Sequence, residues 1–188
     1  SRLFIPFKIL GDTRKGNPGD KVVAQFVRWD PPARIPTCKI IRVLGPGGEA
    51  STDHLGILAK FGLSPTFSAK VEEEAKALAT PVSKEDLKHR VDYRDVFTIT
   101  IDPLDARDFD DAVYCQPEGS GFRLWVAIAD VSHYVAKDSA LDLEAIERGN
   151  SVYFPERVVP MFPEVLSNGL CSLKPKVDRL AMVCEMAI

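Results

Sequence analysis

The sequence predicts an α+β protein: part of an OB-like β-barrel, a helical connector, and part of a mixed α/β domain. Three observations carry this prediction. Short β-branched and aromatic runs separated by Gly/Pro turns fill residues 1–50. Helical spacing behind serine caps takes over in residues 51–92. From residue 93 to residue 188, strand-like runs bracket a stretch, residues 102–111, that holds five aspartates.

In the first segment, Leu3, Phe4, Ile5, Pro6, Phe7, Lys8 and Ile9 are strand-like, and Gly11 with Asp12 marks a turn. A second turn over residues 16–20 leads into a strand over 21–29, closed by Asp30, Pro31 and Pro32. A third strand over 38–44 stops at Gly45 and Pro46. Three strands are too few to close a barrel, so this one is expected to be incomplete. Lys8, Arg14, Lys15, Lys21, Arg28, Lys39 and Arg42 mingle with Phe4, Phe7, Phe26 and Trp29. Charge along a backbone and rings beneath bases suit single-stranded nucleic acid, with Lys21 and Arg28 as candidate contacts. The competing reading makes the same rings the core of a small barrel.

Ser51 is the expected cap of a helix carrying Leu55, Leu58 and Ala59, ending at Gly62. Ser68 caps a helix over 69–78 whose Glu72, Glu73 and Glu74 read as a solvated face, and Ser83 opens a short helix to Leu87. Residues 96–101 are apolar and β-branched and read as a buried strand; residues 112–115 read as the next. A hairpin turn over 116–121 precedes a largely apolar, hence central, strand over 122–130. Ser139 caps an amphipathic helix with Leu141, Leu143 and Ile146, ending at Gly149. Val152, Tyr153, Phe154 and Pro155 follow, then a Pro-punctuated passage to residues 170–173. Residues 179–188 read as a strand that stops without a turn or cap, so the chain is expected to be a piece cut inside a domain.

Composition narrows the class. No apolar run reaches the roughly 20 residues that span a bilayer, and no signal peptide opens the chain, which reads as soluble and cytoplasmic with no membrane partner. Cys38, Cys115, Cys171 and Cys184 are scattered among apolar neighbours and are expected to be buried free thiols. His54, His89 and His133 are equally dispersed, which argues against a His/Cys metal centre. The net charge of −3 conceals an asymmetry: residues 1–50 hold nine Lys/Arg against four Asp/Glu, and residues 51–188 hold fifteen against twenty-three. A basic front and an acidic centre suit a polyanionic substrate that must reach a cation.

The acidic run comprises Asp102, Asp105, Asp108, Asp110 and Asp111, with Arg107 the single positive charge among them. Like charges about 4 Å apart repel by about 4 kcal/mol per pair at an effective dielectric near 20, so such a cluster takes up a cation or protons. Aspartate oxygens are hard ligands suited to Mg²⁺ or Mn²⁺. Asp102, Asp108, Asp110 and Asp111 could present oxygens to two cations, which activate a water and stabilise the leaving oxygen of a phosphodiester. An exposed loop of Asx turns is the plain alternative. An aspartyl-phosphate phosphatase fits the triplet Asp108, Phe109, Asp110, but Asp105, Ala106 and Arg107 rather than a strand precede it. A calcium loop fails: starting at Asp102, its sixth and twelfth positions are Arg107 and Val113, and starting at Asp105, Asp110 and Gln116.

Residues 100–113 closely resemble the ribonuclease II/ribonuclease R exoribonuclease family. Residues 128–135, Tyr153 to Pro155, Pro160 with Met161, 170–173 and 178–182 agree in the same order, and residues 19–23 and 43–45 resemble the end of that family's second cold-shock domain. The resemblance covers essentially the whole chain and fits the bacterial ribonuclease R branch better than the eukaryotic exosome branch. It implies the end of a cold-shock domain followed by the first part of an RNB catalytic domain. It further implies a processive 3′→5′ exoribonuclease that hydrolyses single-stranded RNA with Mg²⁺ to 5′-mononucleotides. By position, Asp102, Asp108, Asp110 and Asp111 match the catalytic aspartates, with Asp102 and Asp110 as metal ligands and Asp108 a ligand or orienter. Asp105 matches no essential position, and Tyr153 matches a tyrosine that stacks on the terminal base. The rest of the family's catalytic domain, with an arginine and a second aromatic, and its S1 domain are absent from these residues. The chain alone is therefore expected to be inactive. The rival expectation is a catalytically silent RNA-binding member of the same fold.

Overall fold

The computed structural model describes residues 6–11, 16–29, 35–78, 81–155 and 157–188. The strand start at Leu3, Phe4 and Ile5, the turn residue Asp12, the basic residues Arg14 and Lys15, and the closing Asp30, Pro31 and Pro32 lie outside the described residues. The chain divides into two compact units, Ser1–Pro65 and Thr66–Ile188. The helices expected over 51–92 are thus shared between them.

The first unit is a three-stranded sheet of order β1-β3-β2, with β1 at Lys8–Ile9, β2 at Asp20–Arg28 and β3 at Thr37–Pro46. Asn17 N–H bonds to the Asp20 carboxylate at 2.8 Å and Asp20 N–H returns to the Asn17 carbonyl at 3.1 Å, a turn that launches β2. The antiparallel β2–β3 pair carries three register irregularities, which bend it as small barrels require. Helix α1 runs Ala50–Phe61. Its N-cap is Glu49 and not Ser51, because the Glu49 carbonyl closes the first turn on Asp53 N–H at 2.9 Å. Gly62 ends it in the left-handed conformation, φ 68°. Helix and sheet meet closely at Gly45, where an added Cβ would lie 2.9 Å from Thr52 Oγ1.

The second unit is built around a three-stranded antiparallel sheet, order β4-β5-β8. Strand β4 is Asp111–Glu118, β5 is Gly121–Ala129 and β8 is Ala181–Ala187, with β5 central as its apolar sequence predicts. Helix α2, Ala69–Ala77, and helix α4, Ala140–Arg148, start on the predicted caps Ser68 and Ser139. Between them in sequence lies the single turn α3, Val131–Tyr134. The core gathers Val71, Ala75, Ala129, Leu141, Leu166 and Cys171. A two-stranded hairpin, β6 (Val152–Phe154) with β7 (Arg157–Val159), and a π-helical segment, Val165–Leu170, complete the unit. Among the described residues no helix is long and apolar enough to cross a membrane.

Five further expectations are corrected. Residues 96–101 do not form a buried strand: only Ile99 pairs, with Val113, while Phe97 and Ile101 are about four-fifths exposed. β-Branched residues favour extension, but a strand needs a partner along its length, and β4 offers this segment one position. Residues 83–87 form turns, not a helix; Ser83 and Asp86 exchange the reciprocal bonds of a capping box with no helix behind it. In α4, Leu141 and Ala145 face the core while Leu143 and Ile146 are exposed, as an i,i+4 stripe requires. Glu74 is not merely solvated, since its carboxylate accepts from Leu141 N–H at 3.2 Å at the start of α4. Of the four free thiols only Cys171 is buried; Cys115 and Cys184 sit on exposed strand positions.

Candidate active site

The aspartates occupy an irregular segment that hands over to β4 at Asp111, so Asp102 closes no strand. Ala106 N–H returns to the Pro103 carbonyl at 3.0 Å, a turn that leaves Leu104 and Asp105 at the surface. Beyond it the backbone is fastened at four points. The Ser172 hydroxyl donates to the Arg107 carbonyl at 2.8 Å and accepts from Phe109 N–H at 3.1 Å. Leu173 N–H reaches the Phe109 carbonyl at 2.8 Å, and Ala129 N–H reaches the Asp110 carbonyl at 2.9 Å. The residue that ends the central strand therefore holds the segment from one side, and the π-helical segment delivers its hold from the other.

This anchoring concentrates negative charge. The Asp110 carboxyl is shifted upward, first by loss of solvation, then by the charges of Asp108, Asp111 and Asp102. It remains solvent-reachable, so the protein around it thins its hydration without enclosing it. None of Asp102, Asp108, Asp110 or Asp111 forms an ion pair with a described lysine or arginine. Tyr153, on β6, donates its hydroxyl to Asp108 Oδ2 at 2.7 Å. That bond, then burial, then the charges of Asp108 and Asp110 push the phenol up to about 12. The residue is 64% exposed, so its ring face stays accessible while its hydroxyl is engaged.

The donor set fits a hard divalent cation: all oxygen, strongly anionic and uncompensated by a described cation. The coordination sphere is not drawn together, because among the described residues no three His, Cys, Asp or Glu side chains converge as a metal cage.

Two features escaped sequence reasoning. Ser172 is fully buried, and only its place in residues 170–173 marked it. The second is a network beside the site. Asp130 caps α3 through His133 N–H at 3.1 Å, accepts from Ser132 Oγ at 2.7 Å and pairs with Arg90 at 2.7 Å. Asp86 lies 3.3 Å from His133 Nε2. Burial raises the Asp130 carboxyl, but Ser132, Arg90 and the His133 N–H together carry it below the usual aspartate range.

In the first unit, Lys21 is ion-paired with Asp53 at 2.5 Å, and Arg28 ends β2 in an exposed position. Phe26 and Trp29 are 60% and 57% exposed, which removes them from the core of that unit.

The RNB domain family matches residues 90–188, and the cold shock domain family matches residues 2–68. The chain belongs to the RNB family. This RNB chain is 48% identical over 190 residues to Ribonuclease R of Vibrio cholerae serotype O1, covering 100% of the chain and 23% of that relative. Ribonuclease R of Escherichia coli strain K12 is 61% identical over 151 residues, 80% of the chain and 19% of the relative. Among solved structures, Mycoplasma genitalium RNase R in complex with double-stranded RNA matches with a TM-score of 0.86 and 31% identity, over 96% of this chain and 33% of that one. The chain spans less than a quarter of the length of the two curated relatives.

Proposed function

We propose that the protein containing this RNB chain is a cytoplasmic 3′→5′ exoribonuclease that hydrolyses single-stranded RNA to 5′-mononucleotides. In this reading Asp102, Asp108 and Asp110 hold Mg²⁺ or Mn²⁺, and Asp111 completes the catalytic set. One observation carries it: Tyr153, its ring exposed, is hydrogen-bonded to an aspartate of a charge-coupled cluster that no described cation compensates. The names of the ribonuclease R relatives support it, as does the RNA in the Mycoplasma genitalium structure.

A divalent cation held by Asp102, Asp108 and Asp110 would supply an activated water and stabilisation of the leaving oxygen. The protein's own residues do the rest. Asp108 is held in one orientation by the Tyr153 phenol, which stays protonated at neutral pH and so remains a donor. The same ring presents its face for stacking on the terminal base, a contact indifferent to base identity. Phe26 and Arg28, in the cold-shock part, add a ring and a charge for the incoming strand. Lys21, ion-paired with Asp53, adds a second charge. The remainder of the catalytic domain and an S1 domain complete the channel, so these 188 residues alone release no mononucleotides.

The test is Asp110→Asn in the full-length protein, with RNA decay and RNA binding measured side by side. Lost decay with retained binding supports the reading, and unchanged decay overturns it. A wild-type protein that binds RNA without degrading it would belong with the silent members of the fold.

A further inference from the structure

We infer that Ser172 is a positioning residue for Asp108, fixing the backbone on both sides of that carboxylate so that it meets the metal in one orientation. The inference rests on the reading of Asp108 as part of the metal site.

Ser172 is 0% exposed, yet its hydroxyl bonds to no other described side chain. Both its bonds land on the acidic segment, 65 and 63 positions away in sequence. The Arg107 carbonyl belongs to the peptide plane before Asp108, and the Phe109 N–H belongs to the plane after it. One hydroxyl thus pins both planes that define the Asp108 φ and ψ. Leu173 N–H adds a third tie, to the Phe109 carbonyl at 2.8 Å.

Ser172 is itself held. Its carbonyl accepts from Arg179 Nε at 2.9 Å and from Lys174 N–H at 2.8 Å. The π-helical segment before it closes with Cys171 N–H on the Leu166 carbonyl at 2.9 Å, and Leu166 and Cys171 are both buried. π-Helical turns are uncommon and often serve to aim a residue, and this one aims Ser172 at the acidic segment. Asp108 is therefore constrained at its backbone by Ser172 and at its carboxylate by Tyr153. Supporting bonds of this kind tune metal affinity or activity by about tenfold to hundredfold.

The test uses the full-length protein with Ser172→Ala. Four readouts are taken: kcat and KM for single-stranded RNA, the Mn²⁺ concentration giving half-maximal rate, Mn²⁺ binding by calorimetry without RNA, and deuterium uptake in the peptide spanning residues 105–111. The expected result is a kcat about tenfold or more lower, KM within about twofold, and weaker Mn²⁺ binding. Uptake should rise in that peptide alone, and Ser172→Thr, which keeps the hydroxyl, should recover part of the loss. Wild-type Mn²⁺ binding and kcat in Ser172→Ala would overturn the inference. So would uptake raised across the whole domain with Mn²⁺ affinity unchanged. If Ser172→Ala fails to fold, Ser172→Cys, of similar volume and weak hydrogen bonding, is judged by the same criteria. A wild-type protein that binds Mn²⁺ but degrades no RNA would defeat the proposed function and leave this positioning role to be decided by the calorimetry and exchange.

Discussion

The Tyr153 hydroxyl donates to Asp108 Oδ2 at 2.7 Å, joining a β-hairpin to the acidic segment across 45 positions of sequence. In the proposed function one side chain combines two jobs that a point substitution can separate: a ring face offered to a base and a phenol that orients a carboxylate.

Tyr153→Phe keeps the ring and removes the donor. A hydrogen bond to a charged group contributes about 1.5–3 kcal/mol, so kcat should fall about tenfold or more while KM for RNA stays within about twofold. Tyr153→Ala should raise KM as well. Steady-state kinetics of the two variants on one single-stranded substrate checks this. Equal effects from both would show that the ring does nothing beyond the hydroxyl, and wild-type kinetics in Tyr153→Phe would show that the hydroxyl does nothing.

The Arg90–Asp130 pair predicts an acid-dependent loss of stability. Asp130 titrates lower in the folded protein than in the unfolded chain, so its contribution is fully present above the unfolded value of about 3.9. It is lost as pH falls from there through the lower folded value. Arg90→Met should lower stability by about 2 kcal/mol at neutral pH, and the gap from wild type should narrow below about pH 4. Thermal melts of both proteins across that range decide it.

Glu74 caps a helix other than its own. Glu74→Ala strips the acceptor from Leu141 N–H and a negative charge from the start of α4, at a cost of about 1 kcal/mol. Glu74→Gln, which keeps the acceptor, should lose less. Denaturant midpoints at constant slope measure both.

In the cold-shock part, Phe26→Ala should weaken single-stranded RNA binding by about 1–3 kcal/mol, because the ring is exposed and not packed as core. Binding should also weaken as salt rises. Lys21→Ala and Arg28→Ala should each reduce that salt dependence. Fluorescence titrations at several salt concentrations would show it, and a flat salt profile would remove this segment from the binding surface.

Local signals in the sequence held at several helix ends and turns, though the Ser51 cap and the Ser83 helix failed. Ser68 and Ser139 cap their helices, Gly62 and Gly149 end theirs, and residues 119–120 turn the β4–β5 hairpin. The other readings that failed depend on what lies opposite. Residues 96–101 have strand composition but one paired position, and Leu143 and Ile146 are apolar but lie off the stripe that meets α2. In the site, the density of aspartates was visible as composition. Its two restraints were not, because Ser172 and Tyr153 reach Asp108 or its neighbours only after some 45–65 residues have folded between them. Asp130 was hidden for the same reason, its partner Arg90 lying 40 positions earlier.

Arg148 has a bearing on how this region tolerates change. Its guanidinium lies 3.9 Å from the centre of the Phe67 ring, donates to the Thr66 carbonyl at 2.8 Å and the Pro160 carbonyl at 3.1 Å, and pairs with Glu144 at 2.9 Å. A planar, five-donor fork can serve those directions at once; an ammonium on a flexible stem cannot. Position 148 should therefore reject lysine, the replacement that charge alone would call harmless. Because Pro160 follows directly on the hairpin carrying Tyr153, the same substitution should also loosen the mount of the ring proposed to stack on the terminal base.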